Sequence, residues 1–277
     1  MQCSEKFTDR WGHVLWLSDG SAEVGVALDF GIRVVHLSCT GMENLFYQQP
    51  NDLSDGFVTP AGWRLYGGHR LWIAPESDDT YYPDNDPVTY TQDADSVLVT
   101  QQIDPVLKIR KQLRITFGDG TVELEHIAVN EADQPLTGAT WGVNTLAAGG
   151  TAHIGFPVTQ PGDYVPRRVV SLWANTNLHD ERVRFTKDSL TAWHKPSRDY
   201  FKIGLYCAPG KAVFENKGQR LTITFDALPL DQHPDNGCNF ELYMCDKFME
   251  LETLGAKRYL QPGEIMSHTE TWQLSKL

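Results

Sequence analysis

Apolar and polar residues alternate one for one along much of this 277-residue chain, and that period of two constrains the fold more than any other feature. Leu221, Ile223, Phe225 and Ala227 interleave with Thr222, Thr224 and Asp226, the pattern of a strand with one buried face. Leu107, Ile109, Leu113 and Ile115 interleave with Lys108, Arg110, Gln112 and Arg114 in the same way. Similar short runs occupy Val14–Leu17, Ala22–Leu28, Ile32–Leu37, Val97–Ile103, Val122–Val129, Val169–Trp173, Phe201–Cys207 and Glu241–Leu251. Asp19-Gly20, Asp119-Gly120, Gly149-Gly150, Pro209-Gly210 and Pro262-Gly263 supply turns between them. No long stretch carries helical periodicity, and there is no internal repeat or low-complexity linker. The expectation is an all-β fold with little helix: a large antiparallel β-sandwich forming a single domain over residues 1–277.

Charge narrows the partners. With 36 acidic against 24 basic residues the chain carries a formal charge of -12. That field repels the phosphates of nucleic acid and an anionic membrane surface, and leaves a neutral ligand such as a sugar unaffected. Cys3, Cys39, Cys207, Cys238 and Cys245 are odd in number and lack zinc-type spacing, which predicts free thiols in a reducing compartment. The first twenty residues show no basic segment followed by a long apolar run, and no apolar stretch reaches the roughly 18–20 residues that span a bilayer. A cytoplasmic location is expected, with the oligomeric state open.

Three loops break the rhythm: Gln48–Pro60, Ala74–Asp95 and Thr159–Arg168. Loops this long in a β domain commonly rim a binding site. Beside the second lies Tyr66-Gly-Gly-His-Arg-Leu-Trp-Ile-Ala-Pro-Glu76. Its paired glycines permit positive φ and close backbone approach. His69, Arg70, Trp72 and Glu76 then offer a titratable ring, a fixed cation, an indole and a carboxylate, the combination that binds sugar hydroxyls and covers a sugar's C–H face.

This run, with Tyr82-Pro-Asp-Asn85, Leu251-Glu-Thr-Leu-Gly255 and Leu260-Gln-Pro-Gly-Glu264, resembles an uncharacterised bacterial branch of the galactose mutarotase-like (aldose 1-epimerase-like) superfamily. Phe30-Gly-Ile-Arg-Val-Val-His-Leu37 and Gly41-Met-Glu-Asn-Leu45 resemble the early strand pair of aldose epimerases. The resemblance spans nearly the whole chain and implies a β-supersandwich that holds a hexose, without a cofactor. In aldose 1-epimerases a late-strand carboxylate is the general base and a histidine protonates the ring oxygen. The base position is similar to Glu252, and alternation puts Glu250 on the same face. Two nearby carboxylates, if partly buried, raise one another's proton affinity toward the neutral range.

The acid position departs from the family: Trp141 stands where its histidine is expected, in Pro135-Leu-Thr-Gly-Ala-Thr-Trp-Gly-Val-Asn-Thr-Leu146. Indole donates no catalytic proton, so Trp141 is expected to contact the sugar, and His69 or His126 to replace the acid. Lys111 interrupts an apolar face and could reach a cleft; Asp180 and Arg182, following Trp173, are candidate substrate contacts or an ion pair. The acidic loop 76–86 lacks a calcium-loop spacing, so no metal site is expected. Three readings follow: anomer interconversion with Glu252 as base and His69 as acid; sugar or oligosaccharide binding without turnover; and a lyase-type reaction on acidic sugars, with Arg70 and Lys111 neutralising a carboxylate.

Overall fold

The computed structural model describes residues 1–157, 162, 164 and 167–277, so the expected loop Thr159–Arg168 lies largely outside the described residues. The fold is an antiparallel β-sandwich of two large sheets, with two short 3-10 turns, Asp78–Tyr81 and Leu230–Gln232, as the helical segments among the described residues. The first sheet runs in the order Gln2–Thr8, Gly12–Ser18, Ala22–Ala27, Val34–Cys39, Gly68–Ala74, Leu136–Ala147, Phe248–Leu254, Phe240–Met244, Phe201–Leu205 and Val170–Leu172. Arg258–Leu260 adds to it beside Leu136–Ala147. The second runs Val183–Phe185, Ser189–Trp193, Thr151–Gly155, Lys211–Asn216, Gln219–Phe225, Ile265–Lys276, Thr121–Asn130, Ile109–Gly118, Ser96–Thr100 and Thr89–Gln92. No described helix is long and apolar enough to cross a membrane, and all five cysteines are unpaired.

Alternation located four strands of the second sheet, Ser96–Thr100, Ile109–Gly118, Thr121–Asn130 and Gln219–Phe225, because one face of each is in the core; its other six strands were not singled out from the sequence. Ile109–Gly118 alternates buried and half-buried residues along its length. The run Glu241–Leu251 is a hairpin rather than one strand, Phe240–Met244 and Phe248–Leu254, turned at Cys245–Lys247. Leu136–Ala147 has no clean alternation, since nearly all its residues are buried on both faces. Gly68–Ala74, Phe201–Leu205 and Phe248–Leu254 are also buried throughout. Their inner face packs on the second sheet; their outer face is covered by a second apolar cluster of Trp63, Leu65, Trp72, Trp141 and Phe248, with Tyr47, Phe57, Tyr81 and Tyr243.

The glycine pair has a steric cause. Gly67 and Gly68 have φ of +88° and +75°, and a Cβ on Gly68 would lie 2.2 Å from the Val34 carbonyl oxygen. Gly68→Ala is expected to destabilise by at least about 1–2 kcal/mol from left-handed backbone alone, with the carbonyl clash added. Urea denaturation reads this, and an unchanged midpoint would refute it.

The loop after Gly68–Ala74 is tethered by a buried ion pair. Arg33 donates to both Asp84 carboxylate oxygens, at 2.6 and 3.1 Å, and to the Ile32 carbonyl at 2.9 Å. Both side chains are almost fully buried. Asp84→Ala strands the guanidinium and is expected to cost about 3–5 kcal/mol. Exchanging both residues for apolar ones of similar volume is expected to cost much less, and equal midpoints for the two variants would contradict this account.

Candidate functional site

On the outer face of the first sheet lies a cavity of about 490 Å³, within the range typical of small-ligand sites. Its floor comes from three adjacent strands, with Arg70 from Gly68–Ala74, Trp141 from Leu136–Ala147 and Glu250 and Glu252 from Phe248–Leu254, and from Phe201–Leu205, two places further on, which supplies Lys202. Residues 56–59, Trp63, Tyr81, Trp173 and Tyr243 form its walls.

The floor charges are paired. Arg70 Nη1 donates to Glu250 Oε1 at 3.2 Å, and the Thr145 hydroxyl donates to the same oxygen at 2.7 Å. Lys202 Nζ donates to both Glu252 oxygens, at 2.8 and 3.0 Å. The same ammonium lies 2.6 Å from Glu241 Oε2, so one cation serves two carboxylates, Glu252 and the wholly buried Glu241. Burial pushes the Glu252 carboxyl up to about 6, with Lys202 pulling the other way. Burial pushes Glu241 further, to about 8. Burial alone would lower Lys202, but Glu252 and Glu241 outweigh it and hold the ammonium well above the ordinary lysine range.

Of the candidates named from sequence, Arg70, Trp72, Glu76, Trp141, Glu250 and Glu252 line this cleft. Glu76, at the exposed rim, accepts the Tyr81 hydroxyl proton. Trp72 and Trp141 are almost closed over, Trp72 beside Arg70 and Trp141 beneath Lys202 Nζ at 4.9 Å; Trp173, half-buried, is the more open indole.

His69 does not join them. It neighbours Arg70 on a strand, so its ring points the opposite way, into the space between the sheets. There Nδ1–H donates to Asn144 Oδ1 at 3.0 Å, since the Asn144 amide nitrogen already serves the Leu251 carbonyl and Glu270. His69 Nε2 then accepts from His126 Nε2 at 2.8 Å. His126, the alternative acid, is therefore buried in the same layer, stacked on His268 at 4.4 Å. Lys111 is buried, its Nζ 5.1 Å from the Trp72 ring centroid, and is not part of the cleft lining. Arg182 forms a bidentate pair with Asp180 and donates to the Asp199 carbonyl, again away from the cleft.

Among the described residues His69, His126 and Glu270 have potential metal-ligand atoms within 4.8 Å of one another. Those atoms already have protein partners, because the Glu270 oxygens accept from Thr253, Asn144 and Trp272 and the two imidazoles bond each other. Residues the sequence reading missed are Lys202, Trp63, Tyr81, Tyr243 and Asn175; Trp173 was noticed only as part of a motif. Lys202 had one signal, as the charge interrupting the apolar run Phe201–Cys207.

The arrangement belongs to the galactose mutarotase-like β-sandwich fold. A galactose mutarotase-like protein from Lactobacillus casei superposes with a TM-score of 0.62 at 11% identity, covering 95% of this chain and 100% of that one. A candidate aldose 1-epimerase of Escherichia coli K12 gives 0.64 at 13%, covering 95% and 99%. A galactose mutarotase related enzyme from Lactobacillus acidophilus gives 0.61 at 9%, covering 95% and 97%. No protein-family model matches the sequence, and no curated protein matches it.

Proposed function

We propose that the chain acts as one unit that binds a sugar in the outer-face cleft and interconverts its anomers by proton transfer, with Glu252 as the base. The observation carrying this reading is the lining itself. Indoles and phenols wall a cleft floored by carboxylates, and three buried donors in that lining, Trp63 Nε1, Trp141 Nε1 and Arg70 Nε, have no protein acceptor. Buried donors left without partners are rare and call for a polar ligand or water. Hydroxyl oxygens of a sugar supply such acceptors, and the aromatic rings cover its C–H face. The names of the fold's solved relatives point to the same substrate class.

The charges favour a neutral sugar over an acidic one. Both cations of the lining, Arg70 and Lys202, are already engaged by carboxylates, and Lys111 lies outside it. That counts against the lyase reading on uronates. Binding without turnover remains the second reading, favoured by the lack of a histidine among the described lining residues. Saturation-transfer NMR on a panel of aldoses, with calorimetry on the same sugars, separates the two. Exchange above the uncatalysed rate supports catalysis, binding alone supports the second reading, and neither across the panel sinks both.

A further inference from the structure

We propose that Lys202 is the proton donor to the sugar's ring oxygen, forming with Glu252 a hydrogen-bonded acid–base couple. This rests on the acid–base reading above. The ring oxygen and the anomeric hydroxyl are bonded to one carbon, so acid and base must stand side by side. Lys202 Nζ and the Glu252 carboxylate do so, 2.8 and 3.0 Å apart on neighbouring positions of the cleft floor.

The other proton-bearing groups of the lining serve less well. Arg70 cannot release a proton at useful cost. Tyr81 gives its hydroxyl proton to Glu76, and burial pushes both Tyr81 and Tyr243 above the ordinary phenol range. No described lining residue is a histidine or cysteine.

A lysine held so firmly protonated is a poor acid in isolation, and the coupling resolves this. The negative charge of Glu252 is a main reason the ammonium keeps its proton. As Glu252 takes the proton of the anomeric hydroxyl, that charge disappears and Lys202 becomes more acidic, at the moment the ring oxygen gains basicity. The bond between the anomeric carbon and the ring oxygen breaks, its electron pair going to the oxygen that receives the Lys202 proton. The products are the open-chain aldehyde, a neutral amine and a neutral carboxylic acid. The couple carries no net charge before or after, which suits a buried site. Rotation of the aldehyde and reversal of both transfers close the ring as the other anomer, restoring Lys202 and Glu252.

The test compares wild type with Lys202→Arg and Lys202→Ala, using saturation-transfer NMR for exchange, calorimetry for sugar affinity and thermal melting for folding. Lys202→Arg keeps a cation for both carboxylates but gives up no proton, so exchange should fall about 10²- to 10⁴-fold with KM changed far less than kcat. Small primary amines should restore part of the rate to a folded Lys202→Ala, more with the less basic amine. Exchange in Lys202→Arg within about threefold of wild type would overturn the proposal while leaving the acid–base reading intact. Folded Lys202→Ala that no amine rescues counts against it as well. Wild type that binds sugar and exchanges none overturns both.

Discussion

Glu252→Gln is expected to lower anomer exchange by about 10²- to 10⁴-fold, the usual worth of a positioned general base, while sugar affinity falls little. The amide matches the carboxylate in shape and can still accept from Lys202, but it cannot take the hydroxyl proton. Wild-type exchange should rise with pH and level off as Glu252 ionises, around the value of about 6 to which burial pushes it. That acid limb should be absent from the residual activity of the variant. A variant as fast as wild type, measured by saturation transfer at several pH values, removes Glu252 from the chemistry. Glu250, fixed by Arg70 and Thr145 on the same face of the strand, would then be the carboxylate to test next.

Acidification should begin to destabilise this protein before ordinary carboxylate titration does. His69 and His126 are wholly enclosed between the sheets and His268 is half-buried beside them, each in a neutral tautomer set by its partners. Thr253 gives its hydroxyl proton to Glu270 at 2.6 Å, so His268 Nε2–H donates to the Thr253 oxygen while Nδ1 accepts from Thr140. A neutral His126 has one proton for two acceptors and gives it to His69 at 2.8 Å rather than to the His268 carbonyl at 3.3 Å. Burial is the main cause that lowers all three, His126 to about 3 and the others well below the ordinary value.

In the unfolded chain these imidazoles titrate near 6.5. Below that pH the unfolded state binds protons that the folded core refuses, so their contribution to stability is complete above about 6.5 and is lost as pH falls. Each histidine contributes a slope of about 1.4 kcal/mol per pH unit. Glu241, Glu252 and Glu270, whose proton affinities are raised in the fold, oppose this slope in part. Melting temperature should therefore fall between pH 6.5 and 5 by the surplus of the imidazoles over these carboxylates, and His126→Gln should flatten the decline. A melting temperature constant over that interval would show that the core accepts protons after all.

Particular strands show how much was legible in advance. The alternation in Ile109–Gly118 and Gln219–Phe225 located them to within two or three residues, because one face of each is exposed and the other is not. The same rule placed Glu250 and Glu252 on a common face, and both line the cleft. The Gly-Gly segment was singled out for its chemistry, and it does bring Arg70, Trp72 and Glu76 to the site. Its histidine was assigned to the wrong side. In Gly68–Ala74 every residue is buried, so hydrophobicity carries no mark of which parity faces the ligand and which the second sheet.

Local alternation is a property of neighbouring residues, and it was enough to specify strands, turns, an all-β sandwich and the shared face of the late carboxylates. What lies across a strand depends on the stacking of sheets and the order of strands within them. Lys202 and Glu252 are fifty residues apart and meet because Phe240–Met244 lies between their strands, each pairing with it in a fixed antiparallel register. His69, His126 and His268 meet because the two sheets close on each other there. Those long-range approaches are set by burial of both faces and by register, which no window of adjacent residues contains.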